Sequence, residues 1–423
     1  MYNKKKILII NGTSLTSNDA TGITVRSIFE NLNRDDWFEI SCSPSAKDAN
    51  YKGKKTYSLP HKYYPFYSIL NKSFFKNANK VSKNNVKIAS INSKNKMSIM
   101  LRNSVIAYAD ILPLLPPKDL LEKVENFKPD CIYTLGASVL TMKLALYFSK
   151  AFNIKIVMHF MDNWPDTLYK EGFITIPCHY IMQNKLKKIY DHMDCGMTIS
   201  DKMAEEYTKR WNKEHIPLMN VVSKIEENPL IREDDKAIIF TYAGGLHLER
   251  WKSLLKISET IKRESIFTNK KIEVRIYTSF DNRETYEYLF DKNTVKFYDY
   301  VEHNSISKVY KSSDVLIHIE SFDPDIVKFT KFSLSTKISE YMSSGKPILL
   351  YAPENIAVSE YISEHKAGLT CRNSEELSCS IKKLVNSKEL RSSLATNGIS
   401  CAKENHSIDN ALNRLDKAFK NIN

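Results

Sequence analysis

The chain predicts an α/β protein of two doubly wound parallel sheets, each the core of its own domain, with their crests facing across a cleft. Three features lead there. Strand-length apolar runs alternate with longer stretches of helical spacing along most of the sequence, the pattern of consecutive βαβ units. Strands hand over to helices through glycine-bearing loops, as at Asn11-Gly12-Thr13 and Ala243-Gly244-Gly245. A polar, Pro-containing and poorly periodic stretch from Ile216 to Asp235 separates two such series and reads as an interdomain linker.

Taken in order, the first domain (residues 1–215) opens with a strand at Ile7 to Ile10 and a helix from Gly22 to Leu32, where Ile23, Val25, Ile28, Phe29 and Leu32 share a face. Phe38 to Cys42 is the next strand. A lysine-rich segment then precedes an amphipathic helix at Lys118 to Phe127 and a strand at Cys131 to Leu135. The series continues with a helix Ser138 to Phe152, a strand Lys155 to Phe160, a helix Ile181 to Tyr190, a strand Cys195 to Ile199 and a helix from Ser200, its N-cap, to Trp211. After a linker at 216–236, the second domain (237–403) repeats the scheme. Its strands are Ala237 to Ala243, Ile272 to Thr278, Val295 to Tyr298, Val315 to Ile319 and Pro347 to Tyr351. Its helices are Trp251 to Lys262, Glu284 to Phe290, Asn304 to Lys311, Thr336 to Ser343, Ile356 to Glu364 and two more to the end. In open sheets of this kind a ligand sits outside the carboxyl ends of the strands.

Composition narrows the class. With 42% hydrophobic and 26% charged residues over 423 positions, the chain can bury two cores. Its apolar runs fall short of the roughly 20 residues of a membrane span, and the basic start is followed only by Ile7 to Ile10, too short for a signal core. Seven cysteines stand singly with no Cys-x-x-Cys, so neither a disulfide framework nor a zinc site is indicated, and a reducing cytoplasm is expected. The net charge of +13 is concentrated: between Asp48 and Asp110 there is no acidic residue but eleven lysines and Arg102, interleaved with Tyr63, Tyr64, Phe66, Tyr67, Phe74 and Phe75. That mixture suits anionic lipid headgroups, giving a possible docking segment at 51–102 on the inner face of a membrane. A solvated loop or a polyanion site has the same composition.

The most specific stretch is Ser335-Thr336-Lys337-Ile338-Ser339-Glu340-Tyr341-Met342, followed by Gly345-Lys346-Pro347. Ser335 or Thr336 caps a helix whose free N–H groups suit a phosphate, and Lys337 adds a full charge. Glu340, one turn on, can accept two hydrogen bonds from a vicinal diol such as a ribose. The plainer alternative is a surface helix with a Lys337 to Glu340 salt bridge. At the opening of the second domain, Gly244 and Gly245 let backbone approach a ligand, and Arg250 and Lys252 in the following turn suit a diphosphate leaving group. A tight turn with surface cations is the competing explanation. Glu320, at the end of a strand, is either a sugar contact or a surface charge. After the strand ending at Phe160, His159 and Asp162 are candidates for a sugar contact or a general base, with a core role as the alternative for His159.

The Ser335 to Pro347 pattern resembles the nucleotide-sugar signature of the GT-B glycosyltransferases grouped as family 4, or glycosyltransferase group 1. That resemblance implies a glycosyltransferase that uses a nucleotide-sugar donor, expected to be a UDP-sugar, with retention, no metal and no cofactor. It gives Glu340 the donor ribose and Ser335, Thr336 and Lys337 the diphosphate. By the same resemblance Tyr300 and Val301 contact the base, and Gly12, Thr13 and Gly22 form the first glycine-rich loop near donor and acceptor. Asp323-Pro324-Asp325 mimics a metal signature but is assigned no metal. The sequence departs from the family at Phe332, where many members carry an acidic residue that contacts the transferred sugar. The C-terminal helix, about 404–423, is expected to pack back on the first domain. The implied acceptor is a saccharide or lipid-linked saccharide of bacterial-type cell-surface polysaccharide assembly, and no nucleic acid is expected. Two other classes fit the same architecture: a non-catalytic carbohydrate-binding partner subunit and a nucleotide-sugar epimerase.

Overall fold

The computed structural model describes residues 5–17, 19–42, 56–60, 93–170, 172–233, 237–268, 270–302 and 305–420. Most of the lysine-rich segment, including Tyr63 to Phe75, lies outside them, as do Asn304 and residues 234–236. The chain divides into two units, Met219–Asn410 and the remainder on either side of it.

In the first unit, β1 (Ile7–Asn11), β2 (Trp37–Ser41), β3 (Thr56–Ser58), β4 (Cys131–Thr134), β5 (Lys155–Phe160), β6 (Gly196–Thr198) and β7 (His215–Pro217) form one sheet in the order β3-β2-β1-β4-β5-β6-β7. Each neighbouring pair is parallel. Every residue of β1, β2 and β4 is buried, so these strands do not alternate apolar and polar residues, and the buried Glu39 of β2 is satisfied by the Leu15 N–H and the Thr56 hydroxyl. The winding reverses between β1 and β4. Around the sheet run α1 (Ala20–Phe29), α2 (Ser93–Ile111), α3 (Lys118–Phe127), α4 (Val139–Phe152), α5 (Trp164–Thr167), α6 (Ile176–Asp191) and α7 (Asp201–Trp211). Ser200 caps α7 as expected, its Oγ accepting the Met203 N–H at 3.2 Å. From Ala411 the last helix (Ile408–Lys420) belongs to this unit. It is held by Arg414, which donates to the Pro217 carbonyl, and by a Lys417–Glu214 ion pair.

The second unit repeats the plan with β8 (Ala237–Ala243), β9 (Lys271–Thr278), β10 (Val295–Asp299), β11 (Val315–Ile319), β12 (Ile348–Tyr351) and β13 (Gly368–Cys371), all parallel, in the order β10-β9-β8-β11-β12-β13. Its helices are α8 (Arg250–Glu264), α9 (Phe280–Tyr286), α10 (Ile306–Lys311), α11 (Pro324–Thr330), α12 (Thr336–Ser343), α13 (Ala357–Glu364), α14 (Ser374–Asn386) and α15 (Lys388–Asn405). The winding here reverses between β8 and β11.

Several expected boundaries move for identifiable reasons. The helix expected from Ile181 begins at Ile176, because Pro177 sits in its first turn, where the missing N–H costs nothing. The helix expected at Glu284 to Phe290 ends at Tyr286 and passes into a 3-10 turn. The first residues of the expected linker are the edge strand β7, in which His215 is buried. The rest of that stretch is fastened to the second unit. Leu230 N–H donates to the Gly345 carbonyl, and the buried Lys346 ammonium donates to the carbonyls of Leu230 and Ser313. Lys346 of the Gly-Lys-Pro run is therefore a scaffold residue.

Candidate active site

At the carboxyl ends of the second sheet, cationic groups converge on one glycine. Gly244 follows β8 with φ +152°, and a Cβ there would lie 1.8 Å from the Lys337 ammonium. Only glycine lets Lys337, in the first turn of α12, reach across to the backbone of the β8 loop. Its ammonium also stands 4.9 Å over the Tyr242 ring, whose hydroxyl donates to the Gly245 carbonyl at 2.7 Å. Burial and the charge of Arg250 lower the Lys337 pKa to about 8. His247 joins the group: a Cβ on Gly245 would meet its Nδ1 at 2.6 Å, and burial together with Arg250 and Lys337 lowers its pKa.

Arg250 opens α8 behind two left-handed residues, Leu248 and Glu249, both at φ 55°. Its Nη2 lies 3.0 Å from each oxygen of Glu320, which follows β11. Glu320 is 5% exposed, accepts from His318 Nε2 at 3.2 Å when that nitrogen carries the proton, and has its carbonyl bonded by Ser253 Oγ. Burial by itself would raise the Glu320 pKa, but Arg250 and His318 hold it down to about 2. Of the two alternatives for Glu320, the surface charge is thus replaced by a buried ion-pair partner of Arg250.

The remaining second-unit candidates separate. Glu340 is half-buried on α12 and accepts a hydrogen bond from the Tyr310 hydroxyl at 2.9 Å, while Lys337 turns toward Gly244 and Tyr242. Tyr300, 64% exposed, follows β10 on the Tyr310 side, with the half-buried Val301 next to it. Ser335 holds the N-cap position of α12, yet its side chain makes no capping bond, so that helix end is presented by backbone, with Thr336 as its first residue. Lys252 is exposed and paired with Glu249 at 2.8 Å, and it lines a cavity with Ser253, Ser321 and Tyr351. Trp251 between them stacks on Tyr286. Asp323 caps α11 by accepting the N–H groups of Asp325 and Ile326, and Asp325 pairs with Lys328. Phe332 is buried.

In the first unit a cavity of about 290 Å³ opens at the carboxyl ends of β1, β4 and β5, and its lining includes Gly12, Thr13, Ser138, Asp162 and Trp164. Asp162 and Gly12 are therefore at a cavity, and two other candidates are not. His159 is completely buried in β5, with Nδ1 2.7 Å from the Tyr133 hydroxyl. Burial lowers its pKa to about 3, which leaves it a neutral core ring rather than a general base. Gly22 lies in the first turn of α1 beneath the preceding loop, where a Cβ would come 2.7 Å from the Ser17 carbonyl, so it serves packing.

Sequence reasoning missed Tyr242, His247 and Tyr310. Only His247 carried a signal, as a titratable residue two positions beyond a glycine pair. The two tyrosines are recognisable only once the strands bring them to Lys337 and Glu340. It also missed Asp110 of α2, which accepts the N–H groups of Val139 and Leu140 at the start of α4, the latter at 3.0 Å, and so holds the Ser138 side of the cavity.

Residues 223–400 match the family model for glycosyl transferases group 1. No curated protein matches the chain. Among solved structures, sucrose-phosphate synthase from Thermosynechococcus elongatus is similar with a TM-score of 0.62 at 12% identity, covering 99% of this chain and 98% of that one. HepE of Anabaena, solved in complex with UDP, is similar with a TM-score of 0.60 at 12% identity, covering 98% and 99%. The α,α-trehalose 6-phosphate synthase from Burkholderia multivorans gives 0.59 at 10% identity, covering 99% and 98%. At such identities these likenesses establish the two-sheet GT-B fold, and the family match lies over the unit that carries Gly244, Arg250, Lys337 and Glu340. The chain has the two-sheet GT-B fold, and its residues 223–400 match the glycosyl transferases group 1 family.

Proposed function

We propose that the chain transfers a sugar from a UDP-sugar to a saccharide or lipid-linked saccharide acceptor in the assembly of a cell-surface polysaccharide such as a capsule or exopolysaccharide. The observation that carries the donor assignment is the Lys337 ammonium seated on Gly244 beside Arg250, at the open end of α12. Positive charge and unsatisfied N–H groups fixed there before any ligand arrives suit a diphosphate whose charge grows as it leaves. UDP is favoured because HepE was solved with UDP and with UDP-glucose. Glu340 accepts the ribose hydroxyls, and Tyr300 and Val301 flank the base. The acceptor hydroxyl attacks the anomeric carbon as the bond to the diphosphate oxygen breaks, with retention and without a metal or other cofactor. Arg250 and Lys337 take up the charge. The cavity at Gly12 and Asp162 is the acceptor site of the first unit, with Asp162 as its proton acceptor. The lysine-rich segment 51–102 would rest on the cytoplasmic leaflet.

The test is UDP release from UDP-sugars, measured with and without a lipid extract of a polysaccharide-producing bacterium, followed by NMR of the product anomer. Release that depends on the extract, lost in Lys337→Ala, supports transfer. Equal release with and without it removes the proposed acceptor class, and an inverted anomer removes retention.

A further inference from the structure

The first unit carries an apolar face that none of its described helices covers. Along α2, Leu101, Val105 and Tyr108 recur at helical spacing, Leu112 follows directly after the helix, and Leu101 remains 64% exposed. Against this helix pack α6 and the segment that leads into it; Phe173 of that segment is 77% exposed and Tyr180 of α6 66% exposed. The Tyr108 hydroxyl donates to the Ile174 carbonyl at 3.0 Å and locks the two parts together. A contiguous patch of large apolar side chains is costly in water, and it marks a surface meant to be covered.

Charge says by what. The outward face of α6 runs from Ile176 and Tyr180 to Lys187 and Lys188, all exposed, so apolar groups give way to cations along one helix. In the sequence, nine of the eleven lysines between Asp48 and Asp110 precede α2 and the other two, Lys94 and Lys96, lie in its first turn, with no acidic residue among them. Within α2 the acidic Asp110 is engaged by the N–H groups of Val139 and Leu140, and the exposed Asp191 sits at the far end of α6, beyond the lysines. Apolar side chains bordered by lysines fit the interface of an anionic bilayer, with rings and aliphatic chains among the acyl chains and ammonium groups among the phosphates.

We infer that the face formed by α2 and the Phe173 to Tyr180 segment inserts into an anionic membrane surface. This is distinct from electrostatic docking by the lysine-rich segment alone, and it rests on the proposed lipid-linked acceptor only for its purpose. The same α2 that offers Leu101 and Tyr108 outward uses Asp110 to fix the start of α4 at the Ser138 side of the cavity, so the inserted helix and the cavity wall form one connected structure.

The experiment is co-sedimentation of the full chain with phosphatidylcholine–phosphatidylglycerol vesicles at about 7:3, with pure phosphatidylcholine as the control. Wild type is expected to sediment with the anionic vesicles. Phe173→Ser/Tyr180→Ser should lose binding about tenfold, and Leu101→Ser/Leu112→Ser, on the other half of the face, should do the same. Phe173→Trp adds a direct readout that does not depend on a polar variant folding: its emission should shift to the blue on adding anionic vesicles. Unchanged emission, binding by the serine variants equal to wild type, or a wild type that pairs through this face into a dimer and ignores vesicles would each overturn the inference. UDP binding followed by thermal shift is a separate readout. Its loss in wild type would count against the donor proposal and leave the membrane result standing.

Discussion

At the scale of single residues, the site is governed by how charges are paired. Lys337 is a cation placed beside another cation, and burial with Arg250 brings its pKa to about 8 from an ordinary 10.5. The folded state therefore holds this proton less tightly than the unfolded chain, so the cost of the buried charge is relieved as pH rises from about 8 toward 10.5. Lys337→Met should leave the fold as stable as wild type or more so at pH 7 while weakening UDP binding, which denaturant titration and calorimetry would show together. In wild type, UDP affinity should fall as pH climbs through about 8. Flat affinity from pH 7 to pH 9 would mean that Lys337 does not meet the diphosphate. Glu320 works with the opposite sign: its contribution is complete above the ordinary 4.5 and is lost as pH falls toward about 2. Glu320→Gln strips a buried pair of one partner and should cost about 3–5 kcal/mol in urea unfolding. A loss within experimental error would show that Arg250 needs no anchor. None of this pairing could be read from the sequence. Glu320 is seventy positions from Arg250, and its place at a strand end gave no sign of the partner. His159 shows the same limit, since adjacency to a polar loop does not decide between the site role and the core role that were both open to it, and burial decides for the core.

Among the elements, the loop after β8 and the start of α12 act as one device. Gly244→Ala would drive a methyl into the Lys337 ammonium and strain the backbone. UDP affinity should drop by at least about tenfold, or about 1.4 kcal/mol, with the fold retained. Unchanged affinity would show that the lysine has room elsewhere. Both halves of this device were legible, because a glycine pair after an apolar strand and a helix opening with Thr336-Lys337 are local patterns. Legible for the same reason were the strands of both sheets that run as four or more apolar residues. Four elements were not: β3, β7 and β13, which are three or four residues long and lack a long apolar run, and α11, which begins at Pro324, a residue that reads as a break but serves here as a helix start capped by Asp323. Asp110 shows how a distant element completes a local one. Asp110→Ala leaves two N–H groups of α4 without their acceptor and should cost about 1–3 kcal/mol in thermal or denaturant unfolding. A neutral result would transfer that role to Ser138.

For the whole molecule, the doubling of one plan is what the sequence conveyed most clearly. Alternating strand and helix patterns, broken once near the middle, specify two parallel sheets because a helix between two strands carries the chain back to start the next strand in the same direction, by a right-handed crossover. The strand orders of both units reverse at the strand that carries the first glycine loop, β1 or β8, and both candidate sites lie there. Where the reading stopped, it stopped for want of long-range information: the pairing of Arg250 with Glu320, of Glu340 with Tyr310, and of Asp110 with the start of α4 all join residues that sequence spacing does not relate.

Binding of a nucleotide-sugar to the second unit through Lys337 and Glu340 is tested by calorimetric titration of UDP-glucose into wild type, Lys337→Met and Glu340→Ala. The expected result is saturable binding by wild type and a loss of about tenfold or more, about 1.4 kcal/mol, in each variant, while both variants unfold as cooperatively as wild type. Equal binding by all three proteins would place the donor elsewhere and contradict the site described here.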